Sequence, residues 1–286
     1  MSDLGTGDLY TFEELQSKGL DKSCRIIPTR WVTTDKGGGV TRARVVIRDG
    51  ARNQDTARSL GISSPTPSSD ALQVLLGVAG CLDLVLGAAD VTAAFMATPL
   101  RKRDVIAKLP LSVSDLSGSA MYLHLFKALN GLRSASQEWV IFLSEIVSEL
   151  QLESDSLEPC LFTGRLKSGA VCMLLSYVDD ILTASDTEKD IEEVLSVIEK
   201  KVVLKKTGLV QSSKGGGGQL KFLGRQIFRQ KGAKAIFVGL PEDYLKTTVE
   251  PCGLKAGSRS APDITSVGPG RQGTYPPEPT VGSVLP

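Results

Sequence analysis

Histidine is almost missing from this 286-residue chain: His124 is the only one. One imidazole excludes every multi-histidine metal centre, and a Ser-His-Asp hydrolase would have to rest on His124 alone. The surrounding run, Met121 to Phe126, is apolar and makes it an ordinary strand histidine. Aromatic residues are scarce at 5%, so Leu, Val and Ile must do most of the packing. The five cysteines, Cys24, Cys81, Cys160, Cys172 and Cys252, are odd in number, scattered and without a C-x-x-C pair. Neither a disulfide framework nor a zinc knuckle is indicated, and a reducing, intracellular setting fits. No apolar run reaches the roughly 18 residues that span a bilayer, and the N-terminus lacks the charged and apolar regions of a signal peptide. A soluble protein with no membrane partner is expected. No glycine-rich phosphate loop follows a strand: Gly215 to Gly218 lack the Lys-Ser/Thr of a P-loop and read as a flexible turn. The net charge of +1 decides nothing, because charge placement matters as much as its sum.

What is present is ordinary globular patterning, 41% hydrophobic and 23% charged. Gly37 to Gly39 separate two strand-like runs within Arg25 to Arg48, which predicts a β-hairpin. Ser68 and Ser69 can cap a helix carrying Leu72, Leu75, Leu76 and Ala79 at helical spacing. Leu84 to Ala89 reads as a buried strand delivering Asp90 at its end. Met121 to Phe126 predicts another strand, followed by a helix with Trp139, Leu143, Ile146 and Leu150 on one face. Val171 to Leu175 stops at Ser-Tyr-Val-Asp-Asp and resumes at Ile181, predicting strand, turn and returning strand. Ser185 or Asp186 is expected to cap a third helix bearing Ile191, Val194, Leu195 and Ile198. Phe222 to Phe228 and Ala235 to Leu240 predict a hairpin about Gly232, and Pro241 can open a short helix. Hairpins mixed irregularly with helices favour an α+β fold with an antiparallel sheet. Residues 1–24 read as an N-terminal extension, 25–255 as the folded domain, and 256–286 as a disordered Gly/Pro/Ser-rich tail.

Adjacent aspartates between apolar strands, Tyr177-Val178-Asp179-Asp180, need a reason, since like charges beside a core repel and are costly to desolvate. A solvated turn is one. A divalent cation is the other: carboxylates suit Mg²⁺, with Mn²⁺ as a substitute, and substrate phosphates and water complete the shell. In nucleotidyl transfer two such ions serve the attacking and leaving oxygens.

Four ordered motifs carry a resemblance. Asp90-Val-Thr-Ala-Ala-Phe95-Met is similar to the first aspartate motif of copia-type reverse transcriptases, and Tyr177 to Asp180 to their YVDD hairpin. Between them, Lys127-Ala-Leu-Asn-Gly-Leu-Arg-Ser-Ala-Ser-Gln-Glu-Trp139 resembles the family's nucleotide-facing block. Downstream, Lys221-Phe-Leu-Gly-Arg-Gln-Ile227 resembles its FLG strand. Arg30-Trp-Val and Arg42-Ala-Arg-Val-Val resemble the opening fingers segment. The resemblance implies a right-hand polymerase palm with fingers and partial thumb, extending a primer on an RNA or DNA template with deoxynucleoside triphosphates. Asp90, Asp179 and Asp180 would be the catalytic, metal-holding carboxylates. Phe95 would meet the sugar, Arg42 and Arg44 would grip the triphosphate, and Asn130, Gly131 and Tyr177 would line the nucleotide site.

Charge placement agrees. From Lys200 to Lys234 there are ten Lys or Arg and no Asp or Glu, a stretch suited to a nucleic-acid backbone as well as to plain solvation. Lys205, Lys206, Lys221 and Arg225 are its candidate contacts. The chain departs from the family at Asn130, Ser134 and Ser136, where Tyr, Gln and Pro are usual. Two functional classes therefore follow: an RNA-directed DNA polymerase domain, or a catalytically silent, truncated remnant that at most binds nucleic acid. Other parts of a retrotransposon polyprotein are candidate partners for either.

Overall fold

The computed structural model describes residues 5–50, 65–113, 118–154 and 156–241. Strand β1 (Gly7–Tyr10) leads through short helices α1 (Phe12–Ser17) and α2 (Leu20–Ser23) to the predicted hairpin, β2 (Arg25–Asp35) and β3 (Thr41–Ile47). Helix α3 (Ser69–Cys81) starts at Ser68, whose hydroxyl accepts from the Ala71 N–H and satisfies a donor the first turn leaves free. Its Leu72, Leu75, Leu76 and Ala79 are all buried. Strand β4 (Val85–Val91) then passes into α4 (Ala94–Ala97), β5 (Val105–Lys108), β6 (Tyr122–Leu125) and α5 (Ala135–Ser148). Strands β7 (Leu152–Ser154), β8 (Leu161–Arg165), β9 (Val171–Tyr177) and β10 (Asp180–Ser185) precede α6 (Glu188–Glu199). The chain ends its described course in β11 (Leu204–Val210), β12 (Gly218–Phe222), β13 (Arg225–Arg229) and β14 (Phe237–Gly239).

The described residues form two sheets, and the α+β expectation with antiparallel pairing holds. A nine-stranded sheet runs β14-β13-β12-β11-β4-β10-β9-β8-β7, and a five-stranded sheet runs β1-β6-β5-β2-β3. Among the described residues the one parallel pair is β2 with β5. Helices cover both faces of the larger sheet. On one, Trp139, Leu143 and Ile146 of α5 and Val194 and Ile198 of α6 pack with Phe162, Cys172, Leu174 and Ile181. On the other, α3 packs on Leu86, Ala88, Leu175, Leu182 and Phe222. Because β4 is sandwiched, it reads as a continuous apolar run rather than an alternating one. At Gly87 a Cβ would stand 2.4 Å from Ile191 Cγ2, so the missing side chain is what lets α6 close on β4.

Two expectations change. The cap of α6 is Thr187, in a reciprocal box in which its hydroxyl accepts from Asp190 N–H and its own N–H donates to the Asp190 carboxylate. Ser185 is unavailable because it closes β10 and donates to the Val171 carbonyl at 2.7 Å. Phe222 to Phe228 is not one strand: it reverses at Leu223 and Gly224, both at positive φ, so that β12 pairs with β13, and β13 in turn with β14. His124 is half-buried in β6, with Nε2 2.8 Å from the Arg103 carbonyl, an ordinary strand histidine as expected. The expected helix after Pro241 and the 256–286 tail lie outside the described residues.

Candidate active site

The geometry begins with register. Asp180 is the cross-strand partner of both Asp90 on β4 and Tyr177 on β9, and Lys205 on β11 is opposite Asp90. Directly opposed residues share a face, so Tyr177, Asp180, Asp90 and Lys205 form one row across four strands. Leu182, Ala88 and Leu175, two residues away along their strands, belong to the α3 side, which fixes the face. The row stands at the end of that face, where the apolar core gives out.

Asp179 is set apart by the turn. Register leaves Val178 and Asp179 as a two-residue loop between β9 and β10, and Val178 takes φ +51°. For a β-branched residue this is a strained conformation. Ala93, at the entrance to α4, is likewise left-handed at φ +54°. The Val91 N–H donates to the Asp179 carbonyl at 2.6 Å, tying the hairpin tip to the end of β4. Two strained residues thus flank the point where the carboxylates meet.

Desolvation raises the Asp179 carboxyl above the ordinary range; the Asp90 charge adds to the rise, while a hydrogen bond from the Ala94 backbone and the charges of Arg44 and Arg42 oppose it. Asp180 is raised by desolvation first, then by Asp90 and Asp179. The three aspartates therefore hold mutually repelling charge that Arg44 and Arg42 offset only in part. Among the described residues no three His, Cys, Asp or Glu side chains enclose a metal ion unaided. Magnesium does not require such a cage: one or two carboxylates with phosphate oxygens and water satisfy it. These all-oxygen, charge-strained donors fit a divalent ion completed by a phosphate-bearing ligand.

Beside Asp179 opens a pocket of about 430 Å³ whose lining includes Arg42, Arg44, Phe95, Met96, Leu129 and Asn130. Residues from four separate stretches of sequence, all expected at one site, meet there. Phe95 serves two surroundings, half-buried against both the α5 core and the hairpin core while facing the pocket. Trp31 also lines it; sequence reasoning placed Trp31 in a motif without giving it a role.

The remaining candidates disperse. Gly131 lines a neighbouring groove with Pro28, Arg30 and Arg48. Its φ is +86°, and a Cβ there would meet the Ile47 carbonyl at 2.2 Å, while Asn130 accepts the Ile47 N–H at 2.8 Å. Close approach to β3 accounts for this glycine without a ligand. Lys206 is opposite Ala89, on the α6 face, and is ion-paired with Glu192, so alternation parts it from Lys205. Lys221 lies between buried Leu220 and Phe222 and points to the α6 side, whereas Arg225, opposite Phe222, shares the α3 side. Arg229, counted in the basic stretch, is interior: it donates to the carbonyls of Leu84, Gln211 and Ala79 and pairs with Asp83 at 3.4 Å.

With this geometry in hand, comparisons locate the chain among known proteins. A family model described as "Reverse transcriptase (RNA-dependent DNA polymerase)" matches residues 15–256. A retrovirus-related Pol polyprotein from transposon TNT 1-94 of Nicotiana tabacum is 26% identical over 255 residues, which cover 85% of this chain and 18% of that relative. The chain thus spans under a fifth of that relative's length. Among solved structures, a Candida albicans telomerase in complex with a fragment of telomeric RNA aligns with TM-score 0.45 and 10% identity, covering 81% of this chain and 47% of that one. A truncated Candida tropicalis apo telomerase aligns with TM-score 0.42 and 12% identity, covering 81% and 57%.

Proposed function

This chain belongs to the reverse transcriptase (RNA-dependent DNA polymerase) family, and from that premise we propose that it adds deoxynucleotides to the 3′-hydroxyl of a primer on an RNA or DNA template. The copia-type resemblance drawn from its motifs agrees with both the family match and the tobacco relative. One observation carries the reading: Asp90 and Asp180 are opposed across β4 and β10, with Asp179 at the adjoining turn and beside a pocket lined by Arg42, Arg44 and Phe95.

In this reading the nine-stranded sheet is the palm and the β2–β3 hairpin belongs to the fingers. The primer oxygen bonds to the α-phosphorus of the incoming nucleotide, the bond to the β-phosphate bridging oxygen breaks, and pyrophosphate leaves as the hydroxyl proton is lost. Asp90 and Asp179 would hold two Mg²⁺ ions, with Mn²⁺ a substitute, and Asp180 would support them from the first position of β10. Such ions, when bound, acidify the primer hydroxyl and neutralise charge on the leaving pyrophosphate. Arg42 and Arg44 orient the triphosphate by charge-assisted hydrogen bonds, and Phe95 closes the sugar site against a 2′-hydroxyl. Lys205, beside Asp90, meets a backbone phosphate. The work is positioning and charge compensation, so an enzyme of this kind needs no histidine.

The substitutions at Asn130, Ser134 and Ser136 favour a second reading, a silent module that binds nucleic acid without turnover. Primer extension on an RNA template with magnesium separates the two. Extended product supports the polymerase; salt-dependent primer–template binding with no product supports the silent module.

A further inference from the structure

Trp31 on β2 is opposite Val45 on β3, so both side chains leave the hairpin on the same face. Val45 is 5% exposed in the core beside Leu129, whereas Trp31 is 44% exposed. Four residues back on β2, where the strand pairs with β5, Ile27 is buried. The strand therefore carries its inward face out of the core, and Trp31 overhangs the pocket formed with Phe95, Met96 and Leu129. The indole is not free to swing, because its Nε1–H donates to Ser112 Oγ at 2.7 Å. Among the described residues no other ring packs against it.

An aromatic plane held at its edge and open on its surface, in a pocket whose lining also includes Arg42 and Arg44, suits a flat π-system attached to an anionic chain. We propose that Trp31 is a stacking platform for a nucleobase in this pocket, supplied by the incoming deoxynucleotide or by the template strand. The proposal rests on the nucleotide reading above and adds a base-recognition element to it. Stacking of this kind tolerates all four bases, since each has a π-face, so Trp31 contributes affinity and orientation rather than base choice.

Intrinsic fluorescence tests this on the intact chain. There are two tryptophans, and Trp139 is fully buried with its N–H on Ser176 Oγ, so a ligand-induced change in emission reports Trp31. With magnesium present, dGTP and a primer–template duplex are titrated separately, with inorganic tripolyphosphate as a probe carrying the charge but no base, and calorimetry measures binding in parallel. Quenching by dGTP assigns the incoming base, quenching by the duplex alone assigns the template base, and tripolyphosphate is expected to leave the emission unchanged. Trp31→Phe should hold the affinity of the quenching ligand within about twofold, and Trp31→Ala should weaken it about tenfold. Calorimetric binding of dGTP and the duplex without any emission change overturns the stacking role alone, as does full affinity in Trp31→Ala. Absence of binding by both overturns the nucleotide pocket together with it. The wild-type titration decides the matter even where Trp31→Ala fails to fold.

Discussion

At the scale of single residues, the carboxylates at the tip of β9 and β10 are held at a cost. Desolvation and the neighbouring negative charge raise Asp179 and Asp180 above the ordinary carboxyl range. A group with a raised folded pKa binds its proton more tightly in the folded state. Stability contributed by that proton is complete below the unfolded value of about 3.9 and is lost as pH rises through the folded value. Asp180→Asn should therefore melt higher than wild type at pH 7, by about 2 °C, with the difference vanishing toward pH 3. Thermal melts across that range check it, and a variant less stable at pH 7 would contradict it. Magnesium should raise the wild-type midpoint and leave an Asp179→Asn chain nearly unmoved, because an ion that binds only the native state stabilises it by mass action. Phe95 gives a second residue-scale test. Phe95→Ala should reduce the preference for deoxy- over ribonucleotides by at least about tenfold, read by competing incorporation; undiminished discrimination would remove the sugar-gate role.

At the scale of elements, the β2–β3 hairpin and the 128–132 turn are locked by backbone contact. Gly131→Ala would force a Cβ against the Ile47 carbonyl at positive φ, and should cost about 2–4 kcal/mol in a denaturant melt; an unchanged midpoint would show that the turn reroutes. Elements with strong periodicity and clear caps, such as α3 after Ser68 and the strand ending in Asp90, were legible in the sequence. Strands β11 and β12 were not: Lys205, Lys206 and Lys221 gave them the look of a solvated basic stretch, and the Leu223-Gly224 reversal lacks the Asn-Gly or Asp-Gly signature of a tight hairpin. The aspartates that register brings together at the candidate site stood out in the sequence because paired aspartates interrupting apolar strands are conspicuous. What remained hidden depends on pairing register, which no local pattern reveals. Register places Lys205 with Asp90 and Lys206 with Glu192, and turns Trp31 toward the pocket.

At the scale of the whole molecule, the larger sheet has one face sealed by α5 and α6 and another that α3 seals only up to the row of Tyr177, Asp180, Asp90 and Lys205. Nucleic acid is expected on that second face. Lys205→Ala should weaken primer–template binding and lower the magnitude of the salt slope by about one, whereas Lys206→Ala should leave it nearly unchanged. Equal losses in the two would argue against the assigned face. The low net charge does not oppose such binding, since local placement of cations governs it. The most direct test is single-turnover incorporation of one deoxynucleotide by wild type, Asp90→Asn and Asp179→Asn, each verified as folded by its melting transition. A working wild type with at least about a thousandfold loss in both variants is the predicted result. A folded Asp179→Asn chain that incorporates nucleotide at the wild-type rate would contradict the assignment of these carboxylates.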